Sequence, residues 1–115
     1  MQSTYLLLPS FKKNKKWLFI TPNGKLIHFG ATGYDDFTTH KNLDRMERYV
    51  ERHKNEADKG FWKHYKKNLI RPSYLSRWLL WSYPNLQKAI QFVEDKQNIR
   101  IIFTDIDALL NFYNI

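Results

Sequence analysis

Apolar residues recur along this chain with two periods, and each period predicts a type of element. The apolar run Tyr5-Leu6-Leu7-Leu8 predicts a short strand over residues 3–8. Trp17-Leu18-Phe19-Ile20 and residues 25–29 predict two more strands, joined through Thr21-Pro22-Asn23-Gly24. Asn-Gly between apolar runs is a strong hairpin signal, because both positions tolerate positive φ. Alternation places Leu26 and His28 on one face and Lys25, Ile27 and Phe29 on the other. Residues 12–16 read as a polar, basic connector. Gly30 and Gly33, flanking Ala31-Thr32, predict a turn or bulge.

Residues 35–41 carry no period and predict an irregular stretch. A helix is predicted to start at Asn42, which can cap it, with Asp44 in the first turn suiting the helix dipole. Leu43, Met46, Val50 and Ala57 form a narrow apolar stripe at helical spacing. Gly60 predicts a stop. Phe61, Tyr65 and Leu69 then recur every four residues, which predicts a helical piece over residues 61–70. Arg71-Pro72 ends it, since the residue before proline is driven out of the α region. Ser73 is the expected cap of a short helix reaching Trp81. Pro84 is expected in the first turn of the next helix, where its missing N–H costs nothing. Leu86, Ile90 and Val93 give that helix its inner face, with Ala89 and Phe92 alongside. The β-branched run over residues 99–103 predicts a strand. Thr104-Asp105 can cap a last helical turn over residues 106–113.

These elements predict an α+β fold: a small antiparallel sheet with an N-terminal hairpin, packed on one side by three to four short helices. The C-terminal strand is expected at the sheet's edge. The 115 residues fit one basic domain over residues 1–115. A chain of this size can bury a real core without a disulfide or metal staple. It has no cysteine, which excludes disulfides, thiolate zinc sites and cysteine nucleophiles. No apolar run approaches the ~20 residues of a spanning helix. No leader peptide is expected either, because no basic region precedes Leu6–Leu8 and no small-residue cleavage site follows. The expected setting is a cytoplasm, a nucleus or a particle assembled there.

Charge changes the picture more than length does. The net charge is +8, and aromatics make up 17% of the residues. Disordered basic tails are poor in aromatics, so this is a folded basic protein with anionic partners expected. The charge is lopsided. Residues 1–30 carry +5 and no acid, residues 41–77 carry +6, and residues 78–115 carry −1. Lys12, Lys13, Lys15 and Lys16 form one cluster. Arg45, Arg48 and Arg52 share one side of the predicted helix. Lys63, Lys66, Lys67 and Arg71 follow among Trp62, His64 and Tyr65. Cations interleaved with aromatics suit nucleic acid, where rings stack on bases. The plain alternative is a solvated basic face, partly neutralised by Glu47 and Glu51.

The densest apolar spot is Trp78-Leu79-Leu80-Trp81. Helical spacing puts Trp78 and Trp81 on one side and turns Leu80 away. Two readings stand: core, or a protein-contact anchor formed by Arg77, Trp78 and Trp81, since arginine and tryptophan are enriched in contact hot spots.

Catalytic signals are sparse. There is no phosphate-binding loop and no nucleophile elbow. Gly30-Ala31-Thr32-Gly33 could present backbone N–H groups to a phosphate, but a turn explains it as well. His28, His40, His53 and His64 lack metal-ligand spacing. Asp105 and Asp107 read as caps. Ser73 or Thr38, with His40 and Asp35, supply the residue types of a triad, but nothing in their spacing requires one. No enzyme, no metal site and no cofactor is expected.

Three segments together resemble a known pattern. They are Phe29-Gly30 … Gly33-Tyr34 … Asp36-Phe37-Thr38 … His40-Lys41, then Arg45 … Arg48-Tyr49 … Arg52-His53-Lys54, then Ser76-Arg77-Trp78-Leu79-Leu80-Trp81 … Pro84-Asn85-Leu86. They resemble a family of short uncharacterised proteins of large nucleocytoplasmic DNA viruses, over residues 22–93. Residues 1–17 and 98–115 depart from the pattern. The resemblance implies a viral origin but no activity. In its plainest form it also implies that Asp35 or Asp36 pairs with Arg45 or Arg48. The function expected is a structural virion component of the minor capsid type, bridging larger shell proteins. The alternative is a basic protein that binds or packages the viral genome. Other virion proteins are the expected partners, nucleic acid the alternative one. The expected location is the virion, assembled in the host cytoplasm or nucleus.

Overall fold

The computed structural model describes residues 2–55 and 60–112. Strands β1 (Thr4–Pro9), β2 (Lys15–Ile20) and β3 (Leu26–Ala31) form an antiparallel meander, and β4 (Arg100–Phe103) joins it in the order β3-β2-β1-β4. The β2–β3 turn forms as the Asn-Gly signal predicts. Gly24 takes φ +85° and its N–H donates to the Thr21 carbonyl at 2.9 Å, while Thr21 Oγ1 accepts from Lys25 N–H at 2.9 Å. The basic connector is shorter than expected. Lys15 and Lys16 belong to β2, which leaves Lys12 and Lys13 in the turn.

The fold is α+β, but the sheet is mixed rather than antiparallel. β4 runs parallel to β1, with Tyr5 opposite Ile101 and Leu7 opposite Phe103. Apolar alternation carries no strand direction. Direction here follows from the long crossover through the helices.

The stretch expected to be irregular contains α1 (Phe37–His40). A capping box forms it: Asp36 accepts from Thr38 N–H, and Thr39 Oγ1 accepts from Asp36 N–H, both at 2.9 Å. Lys41 closes it in the left-handed region (φ 56°), and its ammonium donates to the Thr38 and Pro84 carbonyls at 2.9 and 2.6 Å. α2 (Leu43–Arg52) starts as predicted, with Asn42 Oδ1 accepting from Arg45 N–H at 3.1 Å. Its inner stripe differs from the prediction. Leu43 is exposed, and Met46, Tyr49, Val50 and His53 are half-buried. Ala57 lies outside the described residues.

Residues 61–70 do not form the predicted helix. Only Lys66–Ile70 is helical, as a 3-10 turn. Buried Asn68 decides this, since its Nδ2 donates to the Gly60 and Lys63 carbonyls at 2.9 and 2.8 Å and fixes the loop. α3 (Pro72–Leu75) opens on Pro72 with extended Arg71 as its cap residue, displacing Ser73 from the expected role. It runs into a π-helical turn, Ser76–Leu80. The wider turn overrides ordinary helical spacing: Leu79 and Leu80 are both buried, so Leu80 does not face away. α4 (Leu86–Gln97) is capped by Asn85, not opened by Pro84. It ends at Asn98 in the left-handed region. Asp105 caps α5 (Ile106–Phe112) through Ala108 N–H at 2.7 Å; Tyr113 lies outside the described residues.

The core lies between one sheet face and the helices. Leu7, Phe19, Ile27 and Phe29 from the strands meet Leu69, Tyr74, Leu75, Leu79, Leu80, Ile90 and Val93. Leu8 and Leu18, paired across β1–β2, are buried on the opposite face by alternation. Among the described residues no helix is long and apolar enough to cross a membrane.

A hydrogen-bonded network inside this core makes stability depend on pH. Tyr74 is fully buried; its hydroxyl accepts from Gln97 Nε2 at 3.0 Å and lies 2.8 Å from His64 Nδ1. A neutral His64 can accept that proton, and a protonated one cannot. Burial, then Lys96 and Arg77, hold the His64 pKa below its ordinary 6.5. Stability is therefore full above pH 6.5 and falls as pH drops from 6.5 towards the depressed folded value. Burial also pushes Tyr74 up from 10.0 to about 12, against a smaller opposing effect of Gln97. The folded state thus keeps that proton longest, and stability falls again as pH rises above 10.0. Thermal unfolding across pH should trace a plateau with both edges, and His64→Gln should flatten the acid edge. An acid edge as steep in that variant as in the parent would remove His64 from the account.

Candidate functional site

The sheet edge at β3, the loop after it, α2 and the end of the π-turn enclose a cleft of about 380 Å³. Gly30 and Ala31 supply strand backbone. Tyr34, Asp35 and Asp36 come from the loop, Arg45, Tyr49 and Arg52 from one face of α2, and His53 from the cap at its C-terminal end. Lys16, Ser76, Leu80 and Trp81 complete the lining.

Close approach at Gly30 lets the π-turn dock on β3. Gly30 has φ +77°, and a Cβ there would sit 3.0 Å from Leu80 Cδ1 and 3.4 Å from Lys16 Cβ. Asp36 holds the loop. Its carboxylate accepts from the Lys16 ammonium at 2.8 Å and from the Thr38 backbone and hydroxyl.

The inner wall is aromatic. Tyr49 and Trp81 stack with centroids 4.3 Å apart and planes 1° from parallel. Trp62 lies nearly parallel to Tyr49 at 6.3 Å, and the His40 ring packs on Trp81 at 5.2 Å. The His53 ring packs on Tyr49 at 4.2 Å, tilted by 32°, and its Nδ1–H donates to the Tyr49 carbonyl at 2.8 Å. His40 Nδ1 accepts from Asn42 N–H at 2.8 Å, and its buried Nε2 has no hydrogen-bond partner among the described residues. Burial first, then the Arg45 charge, lower the His40 pKa, with Asp35 and Asp36 opposing.

The cations are arranged unevenly. Arg45 and Arg52 are exposed at the cleft, and among the described residues neither side chain forms an ion pair or hydrogen bond; Arg48 does not line it. The expected pairing of Asp35 or Asp36 with Arg45 or Arg48 is replaced by Lys16–Asp36, because α1 turns Asp36 towards β2. Lys66 is absorbed elsewhere, donating to the Gln97 carbonyl at the end of α4. Lys67 lies over the Tyr65 ring at 5.5 Å, and Arg71 over Phe61 at 4.6 Å. Lys12, Lys13 and Lys63 are exposed outside the cleft, and Lys15 is half-buried in β2.

Of the three expected contact anchors, two turn inward. Trp78 Nε1 donates to the Trp62 carbonyl at 2.8 Å, and the ring is half-buried against the core. Arg77 lies 4.0 Å from the Trp78 centroid and 5.3 Å from that of Trp62, donating to the Trp81 carbonyl at 3.0 Å. Trp81 alone of the three lines the cleft. Tyr49 stands in the resembling segment Arg45 … Lys54 but carries no site role among the expected residues. A usable signal existed, since Tyr49 sits four residues after Arg45 and three before Arg52, on the same helical face.

No triad forms around His40, whose Nδ1 is committed to the Asn42 backbone, while Thr38 Oγ1 donates to Asp36. Among the described residues no three histidine, aspartate or glutamate side chains are placed to hold a metal.

Residues 6–53 match a family model described as a family of unknown function (DUF5754). The match starts inside residues 1–17, which the viral resemblance leaves outside its pattern, and it stops before the Ser76–Trp81 segment that the resemblance includes. No curated protein and no solved structure matches the chain. Ten of the thirteen residues lining the cleft fall within residues 6–53. Over the three-stranded meander, α1 and α2, this chain is similar to a domain of unknown function, and that similar stretch builds most of the cleft.

Proposed function

We propose that the chain is a structural component of a large DNA virus particle, of the minor capsid type, bridging larger shell proteins. It is not an enzyme in this reading. The observation that carries it is the cleft, where the stacked Tyr49–Trp81 pair is flanked by Arg45 and Arg52, two arginines with no ion-pair partner among the described residues. Aromatic and arginine side chains gathered in a concave site are the composition of protein-contact hot spots. Further exposed apolar side chains agree with a bridging role: Ile102 and Phe103 on β4, and Ile106 and Leu110 on α5.

The nucleic-acid reading keeps one observation of its own, the net charge of +8 with Lys12, Lys13 and Lys63 exposed. Gentle disruption of purified particles, followed by quantitative mass spectrometry of shell and nucleoprotein fractions, separates the two. The chain is expected in the shell fraction at a fixed ratio to the major shell protein. Co-fractionation with the genome, reversed by salt, would replace this reading with the second, because phosphate contacts weaken steeply with ionic strength. Absence from particles would defeat both virion roles.

A further inference from the structure

Two features of the cleft narrow what it can hold. The first is an excess of unbalanced positive charge around an apolar wall. Arg45 and Arg52 stand on either side of Tyr49 along α2, and the acids of that helix, Asp44, Glu47 and Glu51, do not line the cleft. Half-buried Arg77 adds a third cation beside the Tyr49–Trp81 stack. Among the described residues it has no carboxylate partner and its Nε has no hydrogen-bond partner. A desolvated cation without a counter-charge raises the local potential more than an exposed one.

The second feature is what the cleft lacks. A nucleic-acid groove needs a row of cations to follow successive phosphates. Here the row is broken. Lys16 is held by Asp36, Lys66 caps α4, and Lys12, Lys13 and Lys63 lie outside the lining. Asp35 sits in the same cleft beside exposed Tyr34. Its carboxylate opposes any anion placed directly against it, phosphodiester or carboxylate alike, but it can accept a hydrogen bond from a peptide N–H, a donor that a phosphodiester backbone lacks.

We infer that the cleft takes an acidic segment of a partner protein, with Arg45 and Arg52 binding its aspartate or glutamate carboxylates and the Tyr49–Trp81 wall covering its backbone. Guanidinium forks match carboxylates in two-point contact, and such charge-assisted bonds are the stronger kind. The inference rests on the protein-contact reading and names the partner's chemistry.

The test is fluorescence anisotropy of a labelled hexaglutamate peptide with the full chain, with oligothymidylate of equal charge as the comparison probe. The peptide should bind, and Arg45→Gln with Arg52→Gln should weaken it by about tenfold or more. Lys12→Gln with Lys13→Gln, which removes equal charge elsewhere, should change affinity by no more than about twofold. Both arginines are exposed and have no partner among the described residues, so circular dichroism should find the double variant as stable as the parent; each single variant serves if it is not. Equal losses in both double variants would overturn the inference, as would no peptide binding, or tighter oligothymidylate binding that depends on Arg45 and Arg52. None of these results bears on where the chain resides in particles, so a failure here is distinguishable from a failure of the structural reading.

Discussion

Replacing Asp36 by alanine is expected to lower the unfolding free energy by about 2–4 kcal/mol, the sum of a lost helix cap and a lost charge-assisted hydrogen bond. Asp36 is only 3% exposed and does both jobs at once. Its carboxylate caps α1 through Thr38 N–H and receives the Lys16 ammonium at 2.8 Å. Alanine leaves a half-buried ammonium and an uncapped four-residue helix, which has no stability of its own. For a chain of this size the melting temperature should drop on the order of 10 °C. Asp36→Asn keeps an acceptor for Thr38 N–H and should recover about 1 kcal/mol of the loss. A melting temperature within experimental error of the parent for Asp36→Ala would mean that the loop is held by other contacts.

Gly30→Ala should cost about 2–4 kcal/mol, whereas Gly33→Ala should cost only about 1 kcal/mol. Both glycines have positive φ, +77° and +83°, so both substitutions carry similar backbone strain. They differ in surroundings. A Cβ at Gly30 meets Leu80 Cδ1 at 3.0 Å, and Leu80 is buried at 2% exposure, with little freedom to move. A Cβ at Gly33 meets nothing within 4 Å. Paired denaturant titrations read the difference directly. Equal costs at the two positions would show that strain alone matters and that β3 and the π-turn tolerate separation. The larger effect at Gly30 should also open the cleft, because Leu80 and Trp81 line it together.

Much of the fold was legible from local rules. The hairpin at Asn23-Gly24, the cap at Asn42 and the inner face of α4 follow from residue types at short spacing. The misses have separate causes. α1 was invisible because Asp36-Phe37-Thr38-Thr39 has no apolar period; two side-chain–backbone contacts hold it instead. The helix predicted over residues 61–70 had the right period but lost to Asn68, whose two buried hydrogen bonds to the loop outweigh a local preference. The π-turn defeated the face assignment of Leu80, since a 3.6-residue period does not describe it.

The candidate site divides along the same line. Composition and local pattern carry the basic, cysteine-free character, the strands and main helices, and the residue types available to a contact site. Which of those residues meet follows from the packing of the elements. Lys16 and Lys66 read as free cations, and folding spends them on Asp36 and on the end of α4. Arg77 and Trp78 read as surface anchors, and packing turns them against the core. Arg45 and Arg52, separated from Trp81 by some thirty residues of sequence, reach one cleft because the π-turn docks on Gly30. Periodicity reports which side of an element is apolar. Which charge finds a partner depends on distances across the fold, and local sequence carries no record of those.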